Sequence, residues 1–271
     1  MSGNKYASVP LQQWMSDREQ WPLLTDYMLQ ESNLPGPRSN LELAGCFAKL
    51  FGTSEVTDTA WALLSAWAQL SEADAKTNDP HEFLPFCAVC ACGAHYPYAD
   101  AGRRSQSEEL LKSAMNDSRW RMREAAAMGL QYIGEFNFVL LKPLLEGWRP
   151  DSTLLEQRAF VAALAHPPLL KAEANVLYCL EMADEIMQGI LSEPAKPADP
   201  EHYRVLSKGL EYSLSLFVAG QPEPGFAMLR RYAGTGDARM IKIVKSNLGK
   251  TRLSKKYPEQ VMEILAGLTT G

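Results

Sequence analysis

The chain lacks the marks of most catalytic and membrane classes. No run of 18 apolar residues occurs, so no membrane-crossing helix is expected. The opening Met-Ser-Gly-Asn-Lys-Tyr carries no hydrophobic signal segment. Five cysteines, an odd number, suit reduced thiols better than a disulfide framework. A cytoplasmic protein that keeps off membranes is the expectation. The net charge of −5, from 27 Lys+Arg against 32 Asp+Glu, argues against indiscriminate attraction to nucleic acid. His81, His95, His166 and His202 stand in unrelated contexts and complete no Ser/His/Asp arrangement. Gly102, Gly129, Gly134, Gly234 and Gly236 do not compose a phosphate loop. Neither a catalytic residue nor a cofactor is expected. The period-2 alternation of strands is missing as well.

What is present is helical periodicity from Leu11 to Leu268. Residues 8–31 hold one or two helices, and Ser32–Ser39, with two prolines, breaks them. Ser39 and Glu42 form a capping-box pattern before Leu43, Phe47 and Leu50, with Gly52 at the end. Thr57 or Asp58 opens the next helix. Further segments span residues 81–95, 105–115, 136–148, 152–165, 170–193, 201–219, 223–233, 237–248 and 258–268. Pro143 must kink its helix or sit near a first turn. Cys87, Cys90, Cys92 and His95 resemble a metal cluster at first sight. Cys92 points away from the face shared by Cys87 and Cys90, however, and core packing is the preferred reading, with no metal site.

Asn116–Gly134 is the stretch with the clearest architecture. Asp117 or Ser118 can cap its start, and Gly134 is placed to stop it. Met122, Ala125, Ala126, Gly129 and Ile133 share one face at helical spacing, while Trp120, Ala127 and Gln131 lie opposite. A stripe of such small residues lets another helix come close, and so short an Ala-rich helix requires neighbours on both sides. Units recur every ~30–45 residues, the range of two-helix repeats. Asp117-Ser-Arg-Trp aligns with Asp237-Ala-Arg-Met, and Met128-Gly129 with Leu248-Gly249. Arg158, followed by Ala-rich sequence, resembles a third, degenerate copy.

Asp117–Arg123 running into Ala125-Ala126-Ala127 resembles the second helix of a HEAT repeat. Asn247-Leu-Gly-Lys-Thr-Arg-Leu253, with Pro258-Glu-Gln-Val261 after it, resembles the C-terminal signature of bacterial HEAT-like proteins, relatives of the DNA-alkylation-repair glycosylases. The resemblance implies an all-α, right-handed α-solenoid of about ten to thirteen helices. It is read as one domain over residues 1–271, with 1–80 as divergent helices and 81–271 as clearer repeats. A break at Pro194–Pro200 is the alternative. In that family Arg123 would pair with Asp117 to orient the stack. The glycosylase branch implies a catalytic Asp four residues after a Trp. Trp120 and Arg123 match its Trp-x-x-Arg element. Arg18, Ser65, Ser71 and Ser152 stand four after Trp14, Trp61, Trp67 and Trp148, so the catalytic element is absent.

Charge distribution carries the functional expectation. Arg230, Arg231, Arg239, Lys242, Lys245, Lys250, Arg252, Lys255 and Lys256 are opposed only by Asp237 between positions 230 and 256. A second basic group, Arg103, Arg104, Arg119, Arg121 and Arg123, is diluted by Glu108, Glu109 and Glu124. The sequence therefore points to a non-catalytic HEAT-like binding or scaffold protein. It would present a partly basic concave surface to nucleic acid or an acidic protein through Arg119, Trp120, Arg123, Arg239, Lys242 and Lys250. The alternative is a glycosylase acting on alkylated DNA bases.

Overall fold

A computed structural model describes residues 5–268, and all regular structure among them is helical. The chain divides into two compact units, Met1–Leu141 and Lys142–Gly271. The first holds α1 (Leu11–Ser16), α2 (Trp21–Gln30), α3 (Leu41–Phe51), α4 (Asp58–Ala68), α5 (Phe83–His95), α6 (Ala101–Met115) and α7 (Trp120–Phe136). The division falls within α8 (Phe138–Trp148), which contains Pro143. The second unit continues with α9 (Leu154–Leu164), α10 (Glu173–Ser192), α11 (Pro200–Gly220), α12 (Pro222–Ala233), α13 (Ala238–Leu248), α14 (Thr251–Ser254) and α15 (Pro258–Gly267). The total of fifteen among the described residues exceeds the expected ten to thirteen because α1 and α14 are too short to show a period. The Pro194–Pro200 stretch lies inside the second unit.

The first unit is built around α5. Every residue from Phe83 to His95 is buried, since a helix that is apolar on all sides has no face for water. It packs against α2, α3, α4, α6 and α7. Its contact with α7 is backbone to backbone: a Cβ on Gly93 would come within 2.1 Å of the Gly129 carbonyl oxygen. The stripe of small residues on α7 thus has the use its sequence implied. Ala127, expected to face outward, is buried too. The three cysteines of α5 are packing residues. The Cys90 thiol donates to the Ala125 carbonyl at 3.8 Å, and burial pushes the Cys87, Cys90 and Cys92 thiols well up.

Three helix ends differ from expectation. Neither Asp117 nor Ser118 caps α7, whose N-cap position is Arg119 with no side-chain cap bond, because the Asp117 carboxylate is taken up by Arg119. Gly134 stays helical, and α7 runs on to Phe136 because Asn137 both ends it and accepts from the Val139 N–H at 2.9 Å, opening α8. Asn40, not Ser39, caps α3, accepting from the Leu43 N–H. Thr57, Asp100, Asp199 and Asp237 cap their helices as short polar side chains do, and Thr153 with Glu156 closes a full capping box on α9.

In the second unit α11 takes the central place, against α9, α10, α12, α13 and α14. Leu206, Leu210, Leu214 and Phe217 form its buried stripe. Asn247, fully buried at the end of α13, accepts from the Ser215 N–H at 2.8 Å and donates to the Leu210 carbonyl at 2.9 Å. A side chain bonded to an N–H and a carbonyl of α11 fixes the end of α13 against that helix.

Candidate functional site

The sequence repeat Asp-x-Arg returns as a repeated geometry. In the first unit Asp117 accepts from the Arg119 N–H (2.8 Å) and grips the Arg119 guanidinium at Nε (2.9 Å) and Nη2 (2.6 Å). The remaining N–H groups reach back 44–49 residues to the Leu70 and Ala75 carbonyls, both at 3.0 Å, just past the end of α4. In the second unit Asp237 holds Arg239 in the same way (2.7 Å to Nη2), and Arg239 donates to the Pro194 (2.9 Å) and Glu193 (3.2 Å) carbonyls past the end of α10. Each module binds main-chain carbonyls of the segment that follows an earlier helix and so ties that segment to the start of a helix more than 40 residues later.

This geometry redistributes the candidate residues. The Arg119 side chain is only 3% exposed and its guanidinium is held inside the fold, while that of Arg239, 12% exposed, is fastened to carbonyls at the surface. Arg123 directs Nη1 to the Asp117 and Ser118 main-chain carbonyls (2.6 and 2.9 Å), so the partner of the Asp117 carboxylate is Arg119. Arg103 bonds the Val56 carbonyl and Asp58, and Arg104 the Tyr96 and Pro97 carbonyls. Arg121, 3% exposed, pairs with the fully buried Glu82 at 3.0 Å and bonds the Gly36 carbonyl. Trp120 is 44% exposed, with the Arg121 guanidinium 4.5 Å from its ring centroid. All five arginines of this group are holding the fold.

The basic group from Arg230 to Lys256 behaves differently. Arg230 pairs with Glu263, Arg231 with Asp184, and Arg239 with Asp237. Lys242 pairs with Glu211 at 2.8 Å, its side chain still 58% exposed. Lys245, Lys250, Arg252, Lys255 and Lys256 make no ion pair among the described residues. They lie from the last turn of α13 through α14 to the start of α15. Lys250 Nζ stands 5.6 Å and Arg252 Cζ 5.1 Å from the ring centroid of Tyr212, which is 52% exposed on α11. Lys208, one turn before Tyr212, keeps its side chain 62% exposed while reaching Glu211 at 3.4 Å.

Glu211 is the counter-anion of this face. Burial pushes its carboxyl up, but hydrogen bonds from Lys242 and Ser207 and the charge of Lys208 outweigh that and hold it below the usual carboxylate range. No protein-family model, curated protein or solved structure matches the chain. The site is therefore read from its own geometry. Among the described residues no group of three His, Cys, Asp or Glu is placed to hold a metal ion, and no helix is long and apolar enough to cross a membrane.

Sequence reasoning marked Lys242 and Lys250 but passed over Tyr212. A signal existed: Tyr212 falls opposite Leu210 and Leu214 on a helical wheel, so a large aromatic was aimed away from the apolar stripe.

Proposed function

We propose that the protein is a non-catalytic binding module of HEAT-like helix pairs, wound as a right-handed α-solenoid, whose second unit offers a basic surface to nucleic acid. One observation carries the reading: Lys245, Lys250, Arg252, Lys255 and Lys256 cluster within twelve residues and form no ion pair among the described residues, in a protein of net charge −5. Unneutralised cations repel one another, and concentrating them on one segment of an acidic protein makes sense where a polyanion lies. Lysine suits that use, because its compact, hydrated charge contacts phosphates without demanding a fixed geometry. The recurrence of the Asp-x-Arg module supports the repeat reading. Nucleic acid is favoured over an acidic protein by the exposed aromatic ring set among the cations.

The test is titration of a fluorescent duplex at several salt concentrations. Four or five phosphate contacts give a log–log slope of roughly −4, with little sequence preference. Lys245→Glu/Lys255→Glu/Lys256→Glu is expected to lose at least about tenfold in affinity at low salt. Undetectable binding of both a duplex and a single strand by the unaltered protein at low salt removes nucleic acid and leaves an acidic protein as the partner.

A further inference from the structure

We infer that the partner of this surface is single-stranded nucleic acid, held by stacking an unpaired base on Tyr212 while Lys208, Lys250 and Arg252 contact the flanking phosphates. The inference rests on the polyanion reading and narrows it to one kind of strand.

Tyr212 stands on the outward side of α11 with half of its surface open. Lys250 and Arg252 flank it at 5.6 and 5.1 Å from the ring centroid. Those distances exceed the roughly 3.5 Å of two stacked planes in contact, so neither cation is centred against the ring, and Tyr212 keeps half of its surface open. Arg252 adds a donor, Nη1, that is enclosed yet has no acceptor among the described residues. An exposed aromatic ring between cations is the arrangement by which proteins hold unpaired bases without reading their sequence. A duplex cannot use it, because its bases are already stacked and only their edges reach the grooves.

The positions are fixed in advance of any ligand. Asn247 locks the end of α13 onto α11 through the Ser215 N–H and Leu210 carbonyl. The Lys250 carbonyl then accepts from the Leu253 and Ser254 N–H groups at 2.8 and 2.9 Å, and buried Leu253 anchors the short turn of α14. Two of the three cations are thus presented by hydrogen-bonded, locally anchored backbone, and the third lies one turn away on α11 itself.

The test uses the full chain and three labelled probes of equal length at matched salt: oligo(dT), the same phosphate backbone with abasic spacers, and duplex. Oligo(dT) is expected to bind about 5- to 100-fold more tightly than the abasic strand, the range that base stacking supplies. Tyr212→Ala is expected to abolish that ratio, and Tyr212→Phe to preserve it. The ratio isolates stacking, because any displacement of Lys250 or Arg252 weakens both strands alike. The salt slope on single strands should be shallower than on duplex for the same number of phosphates bound. Equal binding of oligo(dT) and abasic strand by the unaltered protein overturns the stacking inference and leaves the polyanion reading standing. Binding to none of the three probes overturns the polyanion reading, and this inference with it.

Discussion

The two basic groups of this protein, Arg103–Arg123 in the first unit and Lys245–Lys256 in the second, differ in what their charges meet. In the first group every arginine is aimed at main-chain carbonyls or at a carboxylate of the same unit. In the second, five cations meet no carboxylate among the described residues, and two of them flank an exposed ring. Side-chain chemistry contributes to the difference, with Arg252 the exception in the second group. A guanidinium is planar, has five donors and is weakly hydrated, so it can bind several carbonyls at a buried helix end. An ammonium holds its water and stays at the surface. Cationic sequence is therefore not in itself a binding surface; what decides is whether the fold supplies acceptors.

The largest test of that contrast is Arg121→Ala. It strips the partner from a fully buried carboxylate, Glu82, so unfolding in urea is expected to become easier by about 3–5 kcal/mol. Lys255→Ala/Lys256→Ala is expected to leave the urea midpoint unchanged and to weaken nucleic-acid binding. A stable Arg121→Ala protein with impaired binding would reverse the assignment of the two groups.

A smaller effect is expected of Glu211→Gln. It frees Lys208 and Lys242 from their shared counter-anion, which should raise affinity for oligo(dT) several-fold and steepen the salt slope by about 0.7 for each further phosphate that a freed lysine neutralises. The stabilising contribution of Glu211 is present above the unfolded value of about 4.3 and is lost as pH falls through its lower folded value. The unaltered protein should therefore show no loss from this group between pH 7 and 5. Unchanged affinity in the variant would show that those two lysines are not part of the surface.

The smallest effect separates the units by pH. His95 is buried in α5, its Nδ1 donating to the Phe51 carbonyl at 3.1 Å. Burial, aided by Arg103, lowers its pKa below the usual 6.5, outweighing that bond. The unfolded chain therefore takes up the proton first, and stability falls as pH drops from about 6.5 towards the lowered folded value. His202 in the second unit is half exposed, with Nδ1 2.8 Å from Asp199. Hydrogen exchange at pH 7 and pH 6 should show α5 amides losing protection while α11 amides keep theirs. Equal loss in both would remove His95 as the cause.

Much of the fold was legible in particular residues. Thr57, Asp237 and Gly52 mark their helix ends as their chemistry requires, and the all-helical reading follows from the period of the apolar residues. Local signals failed where two helices compete for one residue. Asn137 terminates α7 because it is also needed to open α8, and nothing within Gly134 itself reveals that. The candidate site was half legible. Lys250 was marked from charge alone, whereas Arg119 and Arg239, equally charged, are fastened to carbonyls more than 40 residues away in sequence.

The sequence by itself determined the helices, some of their caps and a face of α7 that another helix can approach closely, because periodicity, short polar side chains and the missing Cβ of glycine act over a few residues. It also placed the cationic residues in two runs. Only the tertiary structure decided which cations of each run find partners. The carbonyls that capture Arg119 and Arg239, the carboxylate that meets Lys242 and the ring that faces Lys250 are all brought there by packing of distant segments. Charge along a chain is local, but the pairing that cancels it is a property of the assembled core.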